Sequence, residues 1–131
     1  MPNDIPKIIK DVGFDFHWDE KKVWALDVPE EFMDIKELIW HFGVPFLWED
    51  GIYNLKPREV LDNPEAHRKE YDRAMNADFS YPIDIMENKG RWVILDGLHR
   101  LMQAEILNIP KVRVRKIPRS RIPEIFSEDK L

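Results

Sequence analysis

The amino-acid sequence has no cysteine and no long apolar run among its 131 residues. Without cysteine, disulfides, thiolate zinc sites and a cysteine nucleophile are excluded. The apolar runs are short, whereas a membrane-spanning helix needs about 20 such residues. The start Met1-Pro2-Asn3-Asp4 also has no basic region followed by an apolar run, which a signal peptide requires. We therefore expect a cytoplasmic protein with no membrane contact.

The chain also lacks the excess of positive charge that is usual in proteins gripping duplex DNA. Its formal net charge is −5, which counts mildly against such a role, although basic residues cluster near the C-terminus. Apolar material is plentiful, because 44% of the residues are hydrophobic and 34% are charged. This balance and the length predict one domain with a hydrophobic core.

A β-hairpin is predicted over residues 14–28. Phe14, Phe16 and Trp18 alternate with polar residues, and a charged segment typical of a turn follows them. The second strand is expected to end at Pro29.

A helix is predicted from Asp34 to Phe42. Asp34 can cap it, and Glu37 follows three residues later, as in a capping box. Gly43 suits the C-terminal end. The apolar residues keep the i, i+3, i+4, i+7 spacing of one buried face; they are Ile35, Leu38, Ile39 and Phe42.

The middle of the chain predicts a short strand over residues 52–55 and then a surface helix. The pair Asn63-Pro64 is typical of a helix start, and the helix is expected to run to about Asn76. Its side chains are mostly polar, which indicates that it faces solvent.

The segment from residue 81 to 117 has the most ordered pattern. It predicts two strands around a glycine turn, then a helix and a last strand; their ranges are Tyr81–Met86, Trp92–Leu95, Leu98–Asn108 and Lys111–Ile117. Trp92–Leu95 is apolar on consecutive positions, as in a central strand covered on both faces. Gly90 is expected at positive φ in the turn. Beyond Pro118 we expect a peripheral tail that frays from Ser127 to Leu131.

The fold class expected from these elements is α/β (or α+β), a small mixed sheet with helices packed on it. Within a single domain spanning residues 1–131, residues 1–51 would form a hairpin and helix extension. Residues 52–118 would form the core, and residues 119–131 a C-terminal tail.

The order strand, tight glycine turn, helix, strand predicts a binding site at Asp96-Gly97-Leu98-His99-Arg100. The N-terminus of the helix would present free N–H groups and its dipole to an anion. Gly97 lets the backbone turn sharply, and Arg100 offers a planar fork for phosphate oxygens. His99 can donate to a phosphate or carry a proton.

Each of these residues also has a plainer interpretation. Asp96 is a base, a magnesium ligand or a simple N-cap. His99 and Arg100 either contact a ligand or form a structural pair that hydrogen-bonds the neighbouring loop. His41 and His17 are expected to be structural, and no histidine pair has the spacing of metal ligands.

Three stretches together resemble the core of the ParB/sulfiredoxin superfamily. They are Tyr81-Pro-Ile-Asp-Ile-Met, then Gly90-Arg-Trp-Val-Ile-Leu-Asp-Gly-Leu-His-Arg-Leu, then Ile109-Pro-Lys-Val-Arg-Val-Arg-Lys-Ile. ParB-type proteins have a Gly-Glu-Arg-Arg box at this turn, sulfiredoxins have Gly-Cys-His-Arg, and the free serine kinases carry versions of Asp-Gly-x-His-Arg. The resemblance covers roughly residues 52–118.

The resemblance implies that Gly97, Leu98, His99 and Arg100 form the nucleotide-phosphate box. Leu98 stands where sulfiredoxin has its nucleophilic cysteine, so sulfiredoxin chemistry is excluded. The length leaves no room for the helix-turn-helix domain of a full ParB. The segment from Leu55 to Glu59 resembles the opening of the serine kinase core, which implies a catalytic role for Glu59.

The leading hypothesis is therefore binding of a nucleotide, such as ATP or ADP, or of a similar phosphate ligand, together with Mg²⁺. If there is turnover, we expect phosphoryl transfer or NTP hydrolysis. Arg100 would hold phosphate and His99 would contact the transferred group. Asp96 or Glu59 would accept a proton, and Asp96 would hold the metal.

Two further hypotheses belong to other classes. The chain is a nucleic-acid-binding or nuclease module, in which case the contacts would come from a basic run; its members are Lys111, Arg113, Arg115, Lys116, Arg119 and Arg121. The same run also fits the solvated face of a strand whose charges discourage edge pairing. Otherwise the chain is a non-catalytic protein that binds a partner through Phe46-Leu47-Trp48.

Overall fold

The computed structural model describes residues 5–14 and 16–127 and shows a four-stranded mixed sheet with six helices. The strands are β1 Glu30–Asp34, β2 Ile83–Asn88, β3 Arg91–Asp96 and β4 Lys111–Lys116. The α-helices are α1 Lys7–Asp11, α2 Glu20–Trp24, α3 Pro57–Asp62, α4 Arg68–Met75, α5 Leu98–Ile106 and α6 Ile122–Ile125. Short 3₁₀ helices cover Ile35–Glu37, Ile39–Gly43 and Arg119–Arg121. The predicted fold class is confirmed.

The strand order is β1-β4-β2-β3, so the only parallel pair is β2 with β4 among the described strands. The β2–β3 hairpin turns through Lys89 and Gly90 at φ values of 51° and 79°. This confirms the positive φ predicted for Gly90. The helix α5 then connects β3 to β4, which lies beside β2 in the middle of the sheet.

β3 lies at the edge of the sheet, so its predicted central position is wrong. The prediction that β3 is buried was correct. At its free edge, side chains take the place of a further strand and bond the backbone groups. The Nε1 group of Trp40 donates to the Trp92 carbonyl at 3.2 Å, and the Ile94 N–H donates to Nε2 of His41 at 3.0 Å. These contacts satisfy and cover the free edge.

Apolar residues cover both faces of the sheet. One core lies under α3, α4 and α5; its fully buried members include Phe42, Val60, Ile83, Ile85, Leu101, Met102 and Val114. The other lies under α1, α2 and α6 and includes Ile9, Phe14, Val23, Met86, Val93, Leu95 and Ile125. The sheet is therefore the middle layer, with each face shielded from water.

The N-terminal part forms no hairpin in its described residues. Asp15 lies outside them, and α2 occupies the segment where the predicted turn and return strand would be. Asp19 accepts a hydrogen bond from the Lys21 N–H at 2.8 Å and so caps α2. The charged segment that was predicted to be a turn is therefore the start of α2. Trp18 pairs with Phe126 in a single antiparallel bridge and not with a return strand.

The predicted helix from Asp34 to Phe42 is two 3₁₀ helices, Ile35–Glu37 and Ile39–Gly43. Asp34 caps the first through the Lys36 N–H at 2.9 Å, as its role in the sequence pattern predicted. Asp34 is also the last residue of β1, which pairs with β4. The segment before residue 52 is thus part of the sheet and not an extension added to it.

The expected strand over residues 52–55 is a turn that ends at Leu55, which forms one bridge with Leu47. The expected helix from residue 63 to 76 begins only at Arg68, while an unpredicted helix, α3, precedes it. α4 is not wholly solvent-facing, because Glu70 and Ala74 are buried.

The chain after Pro118 is not peripheral, since Ile125 on α6 is fully buried in the second core. Fraying was expected from Ser127, but that residue is buried and its N–H donates to the His17 carbonyl at 3.2 Å. Residues 128–131, the rest of the predicted frayed segment, lie outside the described residues. Among the helices that the structure describes, none is long and apolar enough to cross a bilayer.

Candidate functional site

The turn at Gly97 brings the start of α5 against β2 and requires glycine. Its φ of +117° is a conformation that residues with a Cβ rarely adopt. A Cβ here would lie 3.2 Å from the Cα of Ile83 and 3.1 Å from Nη1 of Arg100. The backbone therefore passes so close to β2 that an Ala side chain would require both Ile83 and Arg100 to shift by a few tenths of an ångström.

The first turn of α5 has no side-chain cap from the described residues. Asp96 does not cap it; its Oδ2 atom accepts a hydrogen bond from Nε1 of Trp24 at 2.8 Å and lies 3.7 Å from Nη1 of Arg100. Of the three interpretations given to Asp96, the N-cap is therefore wrong. The N–H groups at the start of the helix are left without the carboxylate that would compete with an anionic ligand.

Arg100 is anchored at one nitrogen. Its Nη1 group donates to the Pro82 carbonyl at 2.9 Å, and the guanidinium lies 5.7 Å from the centre of the Tyr81 ring. This contact is the loop hydrogen bond of the structural interpretation. The other guanidinium nitrogens make no hydrogen bond with the described residues, so they are available to an incoming oxyanion.

His99 is paired with Glu70, a residue of α4. The distance from His99 Nε2 to Glu70 Oε2 is 2.7 Å, and the second oxygen, Oε1, accepts from Nη1 of Arg73 at 3.0 Å. Burial lowers the pKa of His99, although the bond to Glu70 opposes that shift. The imidazole is thus held in place by a buried carboxylate.

A cavity of about 840 Å³ opens at this turn. Part of its lining is polar and includes Arg73, Asn76, Asp78, Asp96, His99 and Arg100. Another part is aromatic and includes Phe14, Phe16, Trp18, Phe46, Trp48 and Tyr53. The volume is within the range of about 300–1,000 Å³ that is usual for small-molecule sites.

A second cavity of about 510 Å³ shares Asp96 and Arg100 with the first. Its walls include Trp24, Tyr81 and the buried Asp84. Burial raises the pKa of Asp84 even though Nε of Arg115 lies 2.7 Å from its carboxylate. Arg115 donates to Asp84 and to the backbone carbonyls of Val23 and Leu26. Its hydrogen bonds therefore join the sheet to the α2 segment, which is a structural role.

The structure brings four of the predicted site residues, Gly97, Leu98, His99 and Arg100, together with Asp96 around the first cavity. It does not bring Glu59 there. Glu59 is exposed in the first turn of α3, where its carboxylate accepts the Lys56 N–H at 3.4 Å. That geometry gives Glu59 the role of a helix cap.

The basic run is largely neutralised by carboxylates. Arg113 pairs with Glu30 at 2.8 Å, and Lys116 pairs with Glu31 at the same distance. Arg115 is buried on Asp84, and Arg121 pairs with Glu124. β4 is flanked by β1 and β2, so these charges do not protect a sheet edge either. A surface with so few uncompensated cations is a poor match for a nucleic-acid backbone.

The segment Phe46-Leu47-Trp48 is not an exposed contact surface as a whole. Leu47 is buried, and the Phe46 ring packs edge-on against Phe14 with ring centres 4.8 Å apart. Only Trp48 is half exposed, at 50%, and it lines the first cavity.

His41 is structural, as predicted. It is 1% exposed, its Nδ1 lies 2.6 Å from the Leu38 carbonyl, and its Nε2 accepts the Ile94 N–H. Burial lowers the pKa of His41 to about 3, so the ring is neutral at pH 7. Its two nitrogens join the 3₁₀ segment to the edge of β3.

Among the described residues no group of three or more His, Asp or Glu side chains could hold a metal ion by itself. Asp96 immediately precedes Gly97 at the start of α5, and its Oδ1 atom accepts no hydrogen bond from the described residues. One such carboxylate is a suitable partner for Mg²⁺ only where phosphate oxygens and water complete the coordination.

Sequence reasoning missed three residues of the site, Glu70, Arg73 and Trp24. Each lies on a helix other than α5 and reaches the site only through the packing of the fold. The spacing of Glu70 and Arg73, three residues apart on one helix face, is compatible with an ordinary surface ion pair. No local pattern distinguishes it from the neighbouring pairs on α4.

Comparison with known proteins adds no relative, because no protein family, no characterised protein and no solved structure matches this chain.

Proposed function

We propose that the chain binds a nucleotide, with its phosphates at the start of α5 and its base against the aromatic part of the cavity. The observation that carries this proposal is the uncapped helix N-terminus at the 840 Å³ cavity, which Arg73 and Arg100 also line. Helix N–H groups and arginine forks together favour phosphate. Aromatic side chains favour a flat ring.

We also propose membership of the ParB/sulfiredoxin superfamily, on the resemblance of the segment from Gly90 to Leu101. The cleft position of Gly97, His99 and Arg100 supports this assignment. Mg²⁺ is part of the proposal: it would supply charge neutralisation at the phosphates, with Asp96 as its protein ligand. The chain's own residues bind and orient the phosphates, and transfer or hydrolysis of the terminal phosphate is the reaction class that such positioning serves.

A thermal-shift panel tests binding directly. Wild type and Arg100→Ala are heated with ATP, ADP, GTP and CTP, each with and without Mg²⁺. A nucleotide at about 100 times its Kd adds about 2.7 kcal/mol of stability, which is a shift of about 10 °C in a domain of this size. We expect this shift in wild type and its loss in Arg100→Ala, because the phosphate then loses its guanidinium.

Arg91→Ala is the matched control. Arg91 packs over the Trp40 ring at 4.4 Å and lines neither cavity. The Arg91→Ala substitution removes the same charge as Arg100→Ala, but the nucleotide should still raise the melting temperature. If wild-type protein is folded and no nucleotide shifts its melting temperature, the proposed function is wrong.

A further inference from the structure

Glu70 is an unusual residue for a short and mostly polar helix. It is 5% exposed, and both of its carboxylate oxygens are engaged, one by His99 and the other by Arg73. A carboxylate is rarely buried to this degree without a specific partner. The partner on Oε2 is an imidazole in the first turn of α5, beside the proposed phosphate position.

The pairing determines which nitrogen of His99 can act on a ligand. With Nε2–H donated to Glu70, the lone pair of the neutral ring is on Nδ1. Nδ1 makes no hydrogen bond with the described residues, and His99 lines the cavity. A neutral imidazole oriented by a carboxylate, with a free basic nitrogen next to a reacting group, is the arrangement of a general base.

The charges around His99 come from α4 and α5, from the end of β3 and from the loop between α4 and β2. Glu70 and Arg73 face it from α4, with opposite effects on its protonation. The other charged groups of the same part of the cavity are Asp78, Asp96 and Arg100. Burial keeps the ring in the neutral form that a base requires.

We propose that Glu70 and His99 form a general-base pair that activates water for attack on the terminal phosphate of a bound nucleoside triphosphate. This inference rests on the proposed function. The water proton moves to His99 Nδ1 as the water oxygen forms its bond to phosphorus. The bond from phosphorus to the bridging oxygen breaks, and its electron pair leaves with the nucleoside diphosphate. His99 then releases the proton to solvent, so the products are a nucleoside diphosphate, inorganic phosphate and H⁺.

In this scheme His99 touches the reacting water, whereas Glu70 is a positioning residue that acts through His99. Glu70 holds the ring in one tautomer and stabilises the imidazolium that forms. A purely structural tie between α4 and α5 would do neither. The pH dependence of the rate distinguishes a positioning role of Glu70 from a structural one. A residue that only joined α4 to α5 would leave this pH dependence unchanged.

The test measures phosphate release from the Mg²⁺ complexes of ATP, GTP and CTP by wild type, His99→Gln and Glu70→Gln. We expect His99→Gln to lower the rate about 100-fold, as is usual for loss of a general base. Glu70→Gln should lower it at least about tenfold. Removing the carboxylate makes the imidazole a weaker base, so the rise of the rate with pH should move to lower pH. Nucleotide binding should be retained in both variants, with an apparent Kd from the thermal shift within about twofold of that of wild type.

The chain supplies a matched control, Glu49→Gln. His67 Nδ1 and Glu49 Oε2 form a histidine–carboxylate pair at the same 2.7 Å, and neither residue lines either of the two cavities described above. This variant should leave phosphate release and its pH profile unchanged. An NMR titration of the His99 ring in wild type and Glu70→Gln shows independently that the carboxylate acts on His99.

The outcomes are distinguishable. Nucleotide binding without phosphate release in wild type overturns this inference and leaves the proposed function standing, as does a Glu70→Gln rate and pH profile equal to wild type. If Glu70→Gln fails to fold, His99→Gln decides, because its amide can still donate to Glu70 and preserve the tie. Absence of any nucleotide binding overturns the proposed function and this inference together.

Discussion

Two histidine–glutamate pairs in this protein have the same length and very different surroundings. His99–Glu70 and His67–Glu49 both measure 2.7 Å between nitrogen and oxygen. The Glu70 side chain is 6% exposed, whereas that of Glu49 is 40% exposed. Of these four residues only His99 lines either of the two cavities, and within the described part of the chain only Glu70 has an arginine on its second carboxylate oxygen.

The difference shows that distance alone does not define a site. Water screens the exposed carboxylate, so that pair adds little to stability and holds its ring loosely. The buried carboxylate has no water to replace a lost partner, so it depends on His99 and Arg73. The same pair of side chains is therefore a surface contact in one place and a buried, oriented contact in the other.

The largest contrast is expected when each imidazole is removed. His99→Ala leaves Glu70 buried with only Arg73, and we expect a loss of about 3 kcal/mol in the free energy of unfolding. His67→Ala should lose less than about 1 kcal/mol. Urea denaturation of both variants at pH 7 measures this. Equal losses would show that the burial of Glu70 does not matter.

Lowering the pH extends the comparison to a third histidine, His41, which is buried and bonds backbone groups instead of a carboxylate. Its pKa is about 3 in the folded protein against 6.5 ordinarily. The unfolded chain therefore takes up a proton below pH 6.5 that the folded chain does not, and stability is lost as the pH falls. Between pH 6.5 and pH 5 this amounts to about 2 kcal/mol.

Urea denaturation at pH 7, 6 and 5 checks this loss in wild type and in His41→Gln, where the part due to His41 should disappear. Burial lowers the pKa of His99 as well, so it adds a loss of the same sign. An NMR titration in which the His41 ring protonates near its ordinary pKa would contradict the prediction.

Salt should produce the smallest effect. A double-mutant cycle with Gln at both positions measures the coupling within each pair. We expect the His67–Glu49 coupling, less than about 1 kcal/mol, to vanish in 1 M NaCl because exposed charges are screened. The His99–Glu70 coupling should persist. Equal sensitivity to salt would mean that water reaches Glu70.

The extent to which sequence predicted this fold differs along the chain. In the stretch from β2 to β4, each element was predicted to within two residues at either end, because apolar spacing and the breaks at Gly97 and Pro110 are local signals. The N-terminal third was mispredicted. There Asp19 and Lys21 start a helix where alternation indicated a hairpin, and the alternating aromatics pack into the second core.

The site divides in the same way. Gly97, His99 and Arg100 were predicted because a glycine after an apolar strand and basic residues in the first helical turn stand out in the sequence itself. Glu59 was placed in the site by a short resemblance and lies outside it. The strand β3 was assigned to the centre of the sheet because burial on both faces does not reveal whether a strand or side chains cover its edge.

By itself, the sequence determined the strand–glycine–helix turn and its unfavourably placed basic residues, since backbone conformation and local charge depend on neighbours along the chain. Only the tertiary structure decided that α4 carries a buried carboxylate to His99 and that Asp96 bonds Trp24 instead of capping α5. The reason is physical. His99 and Asp96 bond residues that are 29 and 72 positions away in the sequence. Those partners come close only because α4 and α2 pack against the sheet, and no local pattern in the sequence predicts that packing.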